Sequence, residues 1–96
     1  MLESGFKREL KREIQKIFGS DNIDFLVTLE NSKPDLYILY GNKWAAIETK
    51  KTKDASKRPN QEYHVNRLNN NSFARFCNPS NKKEVLDDLE KYFRGS

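Results

Sequence analysis

The chain is poor in the residues that staple or chelate small proteins, and each shortage excludes a class. There is one cysteine, Cys77, so no intrachain disulfide can form and a reducing compartment is expected. With a single histidine beside it, no cysteine–histidine zinc set can be assembled within the chain. Glycine and proline number only four and three, and neither repeats nor a long disordered linker are visible. No apolar run reaches membrane-spanning length. The N-terminal MLESGFKREL lacks the apolar stretch of a signal peptide, which points to a cytoplasmic protein.

What is present is charge. Charged residues make up 33% of the chain and hydrophobic residues 35%, so the core must be thin. Ninety-six residues suit one domain, 1–96, and a chain this small and polar gains stability by dimerising or binding an ion. The net charge of +4 and pI near 9.2 favour a polyanionic partner.

Periodicity gives the elements. Ser4 can cap a helix over about 5–18 that Gly19 ends, with Phe6, Leu10, Ile14 and Ile17 on one face. Glu13 falls at the edge of that stripe and Glu9 one step further out. A glutamate so near the core calls for a cation. Strands are expected over 23–29, 35–40 and 43–50, with ENSKP as the turn between the first two. Pro59 opens a helix over about 59–70, a short strand covers 73–77, and a last helix covers about 81–93. The order αβββαβα implies an α/β or α+β class around a mixed sheet.

The stretch KPDLYILYGNKWAAIETKKTK carries the chemistry. If Gly41-Asn42 is the two-residue loop of a tight hairpin, Tyr40 faces Lys43 and Leu39 faces Trp44. The same register sets Asp35 opposite Glu48, with Lys50 on that face. Two carboxylates so opposed repel unless a cation bridges them. Their hard oxygen ligands suit Mg²⁺ or Mn²⁺, with Glu9 or Glu13 available as a third carboxylate. Lys50 can orient a water and stabilise charge on a phosphate.

Pro34-Asp35 followed by Glu48-Thr49-Lys50, in this element order, resembles the PD-(D/E)XK nuclease superfamily. Size and the stretch RPNQEYHVNRLNNNSFARFCNPSNKKEVLDDL look most like its small phage-type members, the virus-type replication-repair nucleases and Holliday-junction resolvases. The resemblance spans nearly the whole chain. It implies a restriction-endonuclease-like core and an Mg²⁺- or Mn²⁺-dependent DNA endonuclease, often homodimeric, acting on branched or structured DNA inside a phage-infected or bacterial cell. On it, Asp35 and Glu48 would be metal ligands, Thr49 would lend its backbone carbonyl, and Lys50 would be the catalytic lysine. Gln61 matches a glutamine many relatives carry on the following helix; as a residue sharing a face with Val65 and Leu68, it is equally a core-edge glutamine. Lys33 departs from the glycine that many relatives have before Pro-Asp. Glu3, Glu9 and Glu13 compete for the first-helix carboxylate: placement early in the helix favours Glu9, and the apolar face favours Glu13.

Lys51, Lys53, Lys57 and Arg58 follow the motif and are expected to meet DNA phosphates. Lys7, Arg8, Lys11 and Arg12 form a second basic set. His64 reads as a surface or hydrogen-bonded residue, Trp44 and Tyr37 as core or dimer-interface residues, Cys77 as a buried inert thiol, and Asp87, Asp88 and Glu90 as a solvated helix side. A non-catalytic DNA-binding module with the same fold is the competing reading.

Overall fold

Helix α1 (Glu3–Phe18) forms where apolar residues recur at helical spacing, and it buries Phe6, Leu10, Ile14 and Phe18 in one stripe. The computed structural model describes the backbone of residues 3–28, 30, 33–57 and 59–95, with side chains from Gly5 onward. Leu29, Arg58, the Asn31-Ser32 part of the expected turn and the Ser4 side chain lie outside the described residues. Gly19 takes φ +91° and its N–H closes on Gln15 O at 2.8 Å, which ends α1 where a glycine was expected to.

After one 3-10 turn, Ser20–Asn22, come strands β1 (Asp24–Val27), β2 (Leu36–Tyr40) and β3 (Lys43–Thr49). Helix α2 (Pro59–Asn71), strand β4 (Ala74–Cys77) and helix α3 (Lys82–Arg94) complete the chain. The protein is α+β: the described residues form three α-helices and a mixed four-stranded sheet in the order β1-β2-β3-β4. β1 pairs antiparallel with β2, β2 antiparallel with β3, and β3 parallel with β4. The parallel pair needs a crossover, and α2 supplies it.

The β2–β3 register is the one a two-residue Gly-Asn loop dictates: Tyr40 lies against Lys43 and Leu39 against Trp44, down to Leu36 against Ile47. Gly41 sits at φ +61°, the left-handed conformation such a loop requires.

Alternation on the strands divides the core. Leu36, Ile38, Ala45, Ile47 and Cys77 face α1 and α3, where Val85, Leu86, Leu89 and Phe93 meet the α1 stripe. On the other face, Ala46 and Ala74 pack under Val65 of α2, with Tyr37, Trp44, Leu68 and Phe76 partly buried around them. The alanines let α2 approach the sheet closely. Among the described residues, no helix is long and apolar enough to cross a membrane.

Candidate functional site

The charged end of the hairpin becomes a cluster of interlocked side chains. Glu48 is the next to last residue of β3 and only 5% exposed, an unusual place for a carboxylate. Lys50 Nζ lies 3.6 Å from Glu48 Oε2 and donates to Gln61 Oε1 at 2.9 Å and Ser56 O at 3.0 Å. Gln61 Nε2 donates in turn to Glu48 Oε2 at 3.3 Å. Glu48, Lys50 and Gln61 therefore form a closed triangle, spanning the end of β3 and the first turn of α2. Gln61 faces inward as its helical phase requires, and its inward amide is a part of this cluster.

Asp35 sits one step beyond the last β2–β3 pair, so continuing the register sets its backbone opposite Glu48. Its carboxylate turns elsewhere. Oδ1 accepts from Thr49 N at 3.1 Å and Oδ2 accepts from Thr49 Oγ1 at 2.7 Å, while Lys7 Nζ lies 2.9 Å from Oδ2. Thr49 is fully buried on the α1 side of the sheet, so Asp35 reaches across the sheet end rather than sharing the Glu48 face. The physical reason is that Asp35 lies past the end of β2, where the pleat no longer fixes side-chain direction. Buried donors at Thr49 and a cation on α1 then decide it.

The first-helix glutamates are engaged by another cation. Lys82, in the first turn of α3, lies 2.7 Å from Glu13 Oε2 and 3.7 Å from Glu9 Oε1. The cation that Glu13's position called for is thus supplied from the far end of the chain. Its bond to Glu13 raises the Lys82 pKa above the ordinary lysine value. Among the described residues, no three acidic, histidine or cysteine side chains are gathered closely enough to hold a metal. Neither Glu9 nor Glu13 joins Asp35 and Glu48 as a third carboxylate.

Of the basic residues after the motif, Lys51, Lys53 and Lys57 are exposed, and Lys57 Nζ lies 4.4 Å from the ring centroid of Phe76. Phe76 pairs with Glu48 across the parallel ladder, which brings Lys57 to the site's flank. Arg58 lies outside the described residues. In the second basic set, Lys7 is spent on Asp35, Lys11 lies 5.3 Å from the Phe25 ring, and Arg8 and Arg12 are exposed. Cys77 is buried beside the site on the α1 face, and burial pushes its thiol up to about 12, the inert state expected of it. Lys7, Ser56 and the Thr49 hydroxyl are the participants that the sequence did not single out for these roles. The Thr49 hydroxyl was within reach, because strand alternation already places Thr49 on the buried face with Ala45 and Ile47.

The Asp35 and Glu48 carboxylates and the Thr49 backbone carbonyl are hard oxygens, although Asp35 is turned to Thr49 and Lys7. They suit a small divalent ion that keeps several waters and takes one or two carboxylates. No family model, curated protein or solved structure matches this chain.

Proposed function

We propose that this chain is a metal-dependent deoxyribonuclease with a restriction-endonuclease-like core, hydrolysing phosphodiester bonds at Asp35, Glu48 and Lys50. The observation that carries the reading is the buried Glu48 held by Lys50 and Gln61 at the end of a hairpin that also delivers Asp35. Leaving a carboxylate 5% exposed is costly for a domain with so small a core, and a purely structural role would be filled as well by an apolar residue. The element order, α1-β1-β2-β3-α2-β4-α3, resembles the αβββαβα order of that superfamily and so supports the reading.

Asp35 and Glu48, with the Thr49 carbonyl, would hold Mg²⁺ or Mn²⁺, which supplies Lewis-acid polarisation of the phosphate and a more acidic water. The chain's own part is electrostatic and positional. Lys50 presents a fixed positive charge where negative charge gathers on the phosphate during hydrolysis. Gln61 is a positioning residue: it accepts from Lys50 and donates to Glu48, so neither can swing away. Thr49 orients Asp35 through its N–H and its hydroxyl. Lys51, Lys53 and Lys57 would pair with DNA phosphates and set the duplex in register without reading its sequence. A homodimer would supply two such sites.

One observation favours a second reading, a catalytically silent DNA-binding module. Asp35 is already paired with Lys7, and Glu9 and Glu13 with Lys82. The two separate on incubation with supercoiled, linear, single-stranded and four-way-junction DNA in Mg²⁺, Mn²⁺ or EDTA. Metal-dependent cutting of the circle supports the nuclease, and preference for the junction selects a resolvase-like substrate. Salt-dependent binding with no cutting in either metal supports the silent module.

A further inference from the structure

Helix α2 covers only part of its sheet face. It packs on Ala46 and Ala74 of β3 and β4, with Tyr37 of β2 partly buried at its edge, and leaves the half of the face nearer β1 more open. There Leu26 is 59% exposed and lies across from Tyr37. Between this open half and α2 runs a cleft of about 340 Å³, lined by Lys33, Tyr37, Tyr63, His64, Arg67 and Leu68. We infer that this cleft seats an unpaired nucleotide of the DNA strand, beside the Asp35–Glu48–Lys50 site. The inference rests on the nuclease reading for the strand's purpose, and on the cleft alone for its binding.

The lining chemistry is that of a single-strand binder, in which aromatic rings stack bases and cations meet the backbone. Its six residues include two tyrosines, a histidine, two fixed cations and no carboxylate. Glu30 pairs with Lys33 at 3.0 Å, but both are exposed, and such a pair exchanges readily for a phosphate; Asp35 is held by Thr49 and Lys7. Tyr63 is 57% exposed yet held in place. Its ring meets His64 edge-on at 5.2 Å, and its hydroxyl accepts from Arg67 at 3.0 Å. An exposed ring fixed by two neighbours is a platform, with little freedom left to lose when a base stacks on it.

Position ties the cleft to the site. Lys33 and Tyr37 flank Asp35 on either side, and His64 follows Gln61 by one turn of α2. A base within a duplex cannot stack in the cleft, because its faces are covered by its neighbours and its pairing edge by its partner. A second copy of this chain is disfavoured as the occupant, since a two-fold contact through this patch would bring Lys33 and Arg67 against like charges.

The test is fluorescence anisotropy in EDTA, where no strand is cut, with a fluorescein-labelled duplex carrying a single-stranded tail and a blunt duplex of the same sequence. The wild type should bind the tailed DNA about tenfold more tightly, the worth of one stacked base. Tyr63→Ala should erase that preference, Tyr63→Phe should keep it, and neither should change blunt-duplex affinity or the thermal melt. Arg67→Ala should weaken tailed binding in the same sense. Equal affinity of the wild type for both DNAs, or a preference that survives Tyr63→Ala, overturns the assignment. So does a Tyr63→Ala protein whose sedimentation shifts to a smaller oligomer with tail preference intact. A protein that cuts DNA but shows no tail preference sinks this inference and spares the nuclease. A protein that prefers tails but cuts nothing does the reverse.

Discussion

Thr49 joins the sheet to the site, because one buried residue both ends β3 and holds Asp35 through two hydrogen bonds. Thr49→Val keeps the shape and the N–H but removes the hydroxyl donor. It should cost about 1–2 kcal/mol in urea unfolding and slow cleavage, since Asp35 then rests on the Thr49 N–H and Lys7 alone. Cys77 offers a separate test. Burial holds its thiol protonated to about 12, whereas the unfolded chain releases that proton near 9.0. Its contribution to stability is therefore complete below pH 9.0 and is lost as the pH climbs toward 12. Lys82, raised by Glu13, acts in the same sense. Urea unfolding across this range should show a shallower alkaline decline in Cys77→Ala than in the wild type. Native Cys77 should also resist an aromatic disulfide reagent at neutral pH until denaturant is added. At this scale the sequence was legible where a neighbour is near in the chain, as with Glu48, Lys50 and Gln61. It was silent on Lys82, which reaches Glu9 and Glu13 from the opposite end of the chain, and on Lys7, whose outward appearance hid its pairing with Asp35.

The β2–β3 hairpin is the element that positions the chemistry, and its register follows from a loop at the end away from the site. A Cβ at Gly41 would meet nothing within 4 Å, so Gly41→Ala carries only the backbone cost of φ +61°. That cost is about 1–2 kcal/mol, or several degrees in Tm for a domain of this size. Cleavage per folded molecule should be unchanged, because the turn selects the register and does not touch the site. A Gly41→Ala protein that stays folded but loses activity would mean that the register had slipped. The hairpin was readable because Gly-Asn lies between two strands of alternating character. The turning of Asp35 toward Thr49 was not, since it happens one residue past the strand, where alternation stops applying. Boundaries moved by one or two residues, as with α1, which begins at Glu3 rather than near residue 5.

At the scale of the molecule, the sheet separates two tasks. The α1–α3 face carries most of the core, and the α2 face carries Glu48, Gln61 and the open cleft. The α+β class and the element order could be read from spacing and punctuation alone. How much of the sheet face α2 covers could not, because it depends on where α2 settles over the small side chains of Ala46 and Ala74. On the proposed function, the triangle of buried Glu48 with Lys50 and Gln61, and the cleft between Tyr37 and Tyr63, would bring a nucleic-acid strand past a reactive centre. The most direct test is nicking of supercoiled plasmid by wild type, Glu48→Gln and Lys50→Ala in Mg²⁺, Mn²⁺ and EDTA, with thermal melts alongside. The wild type should relax the plasmid in metal and not in EDTA, and both variants should lose activity by about a hundredfold or more while remaining folded. A wild type inert in either metal, or a Lys50→Ala protein that cuts as fast as the wild type, would contradict the account.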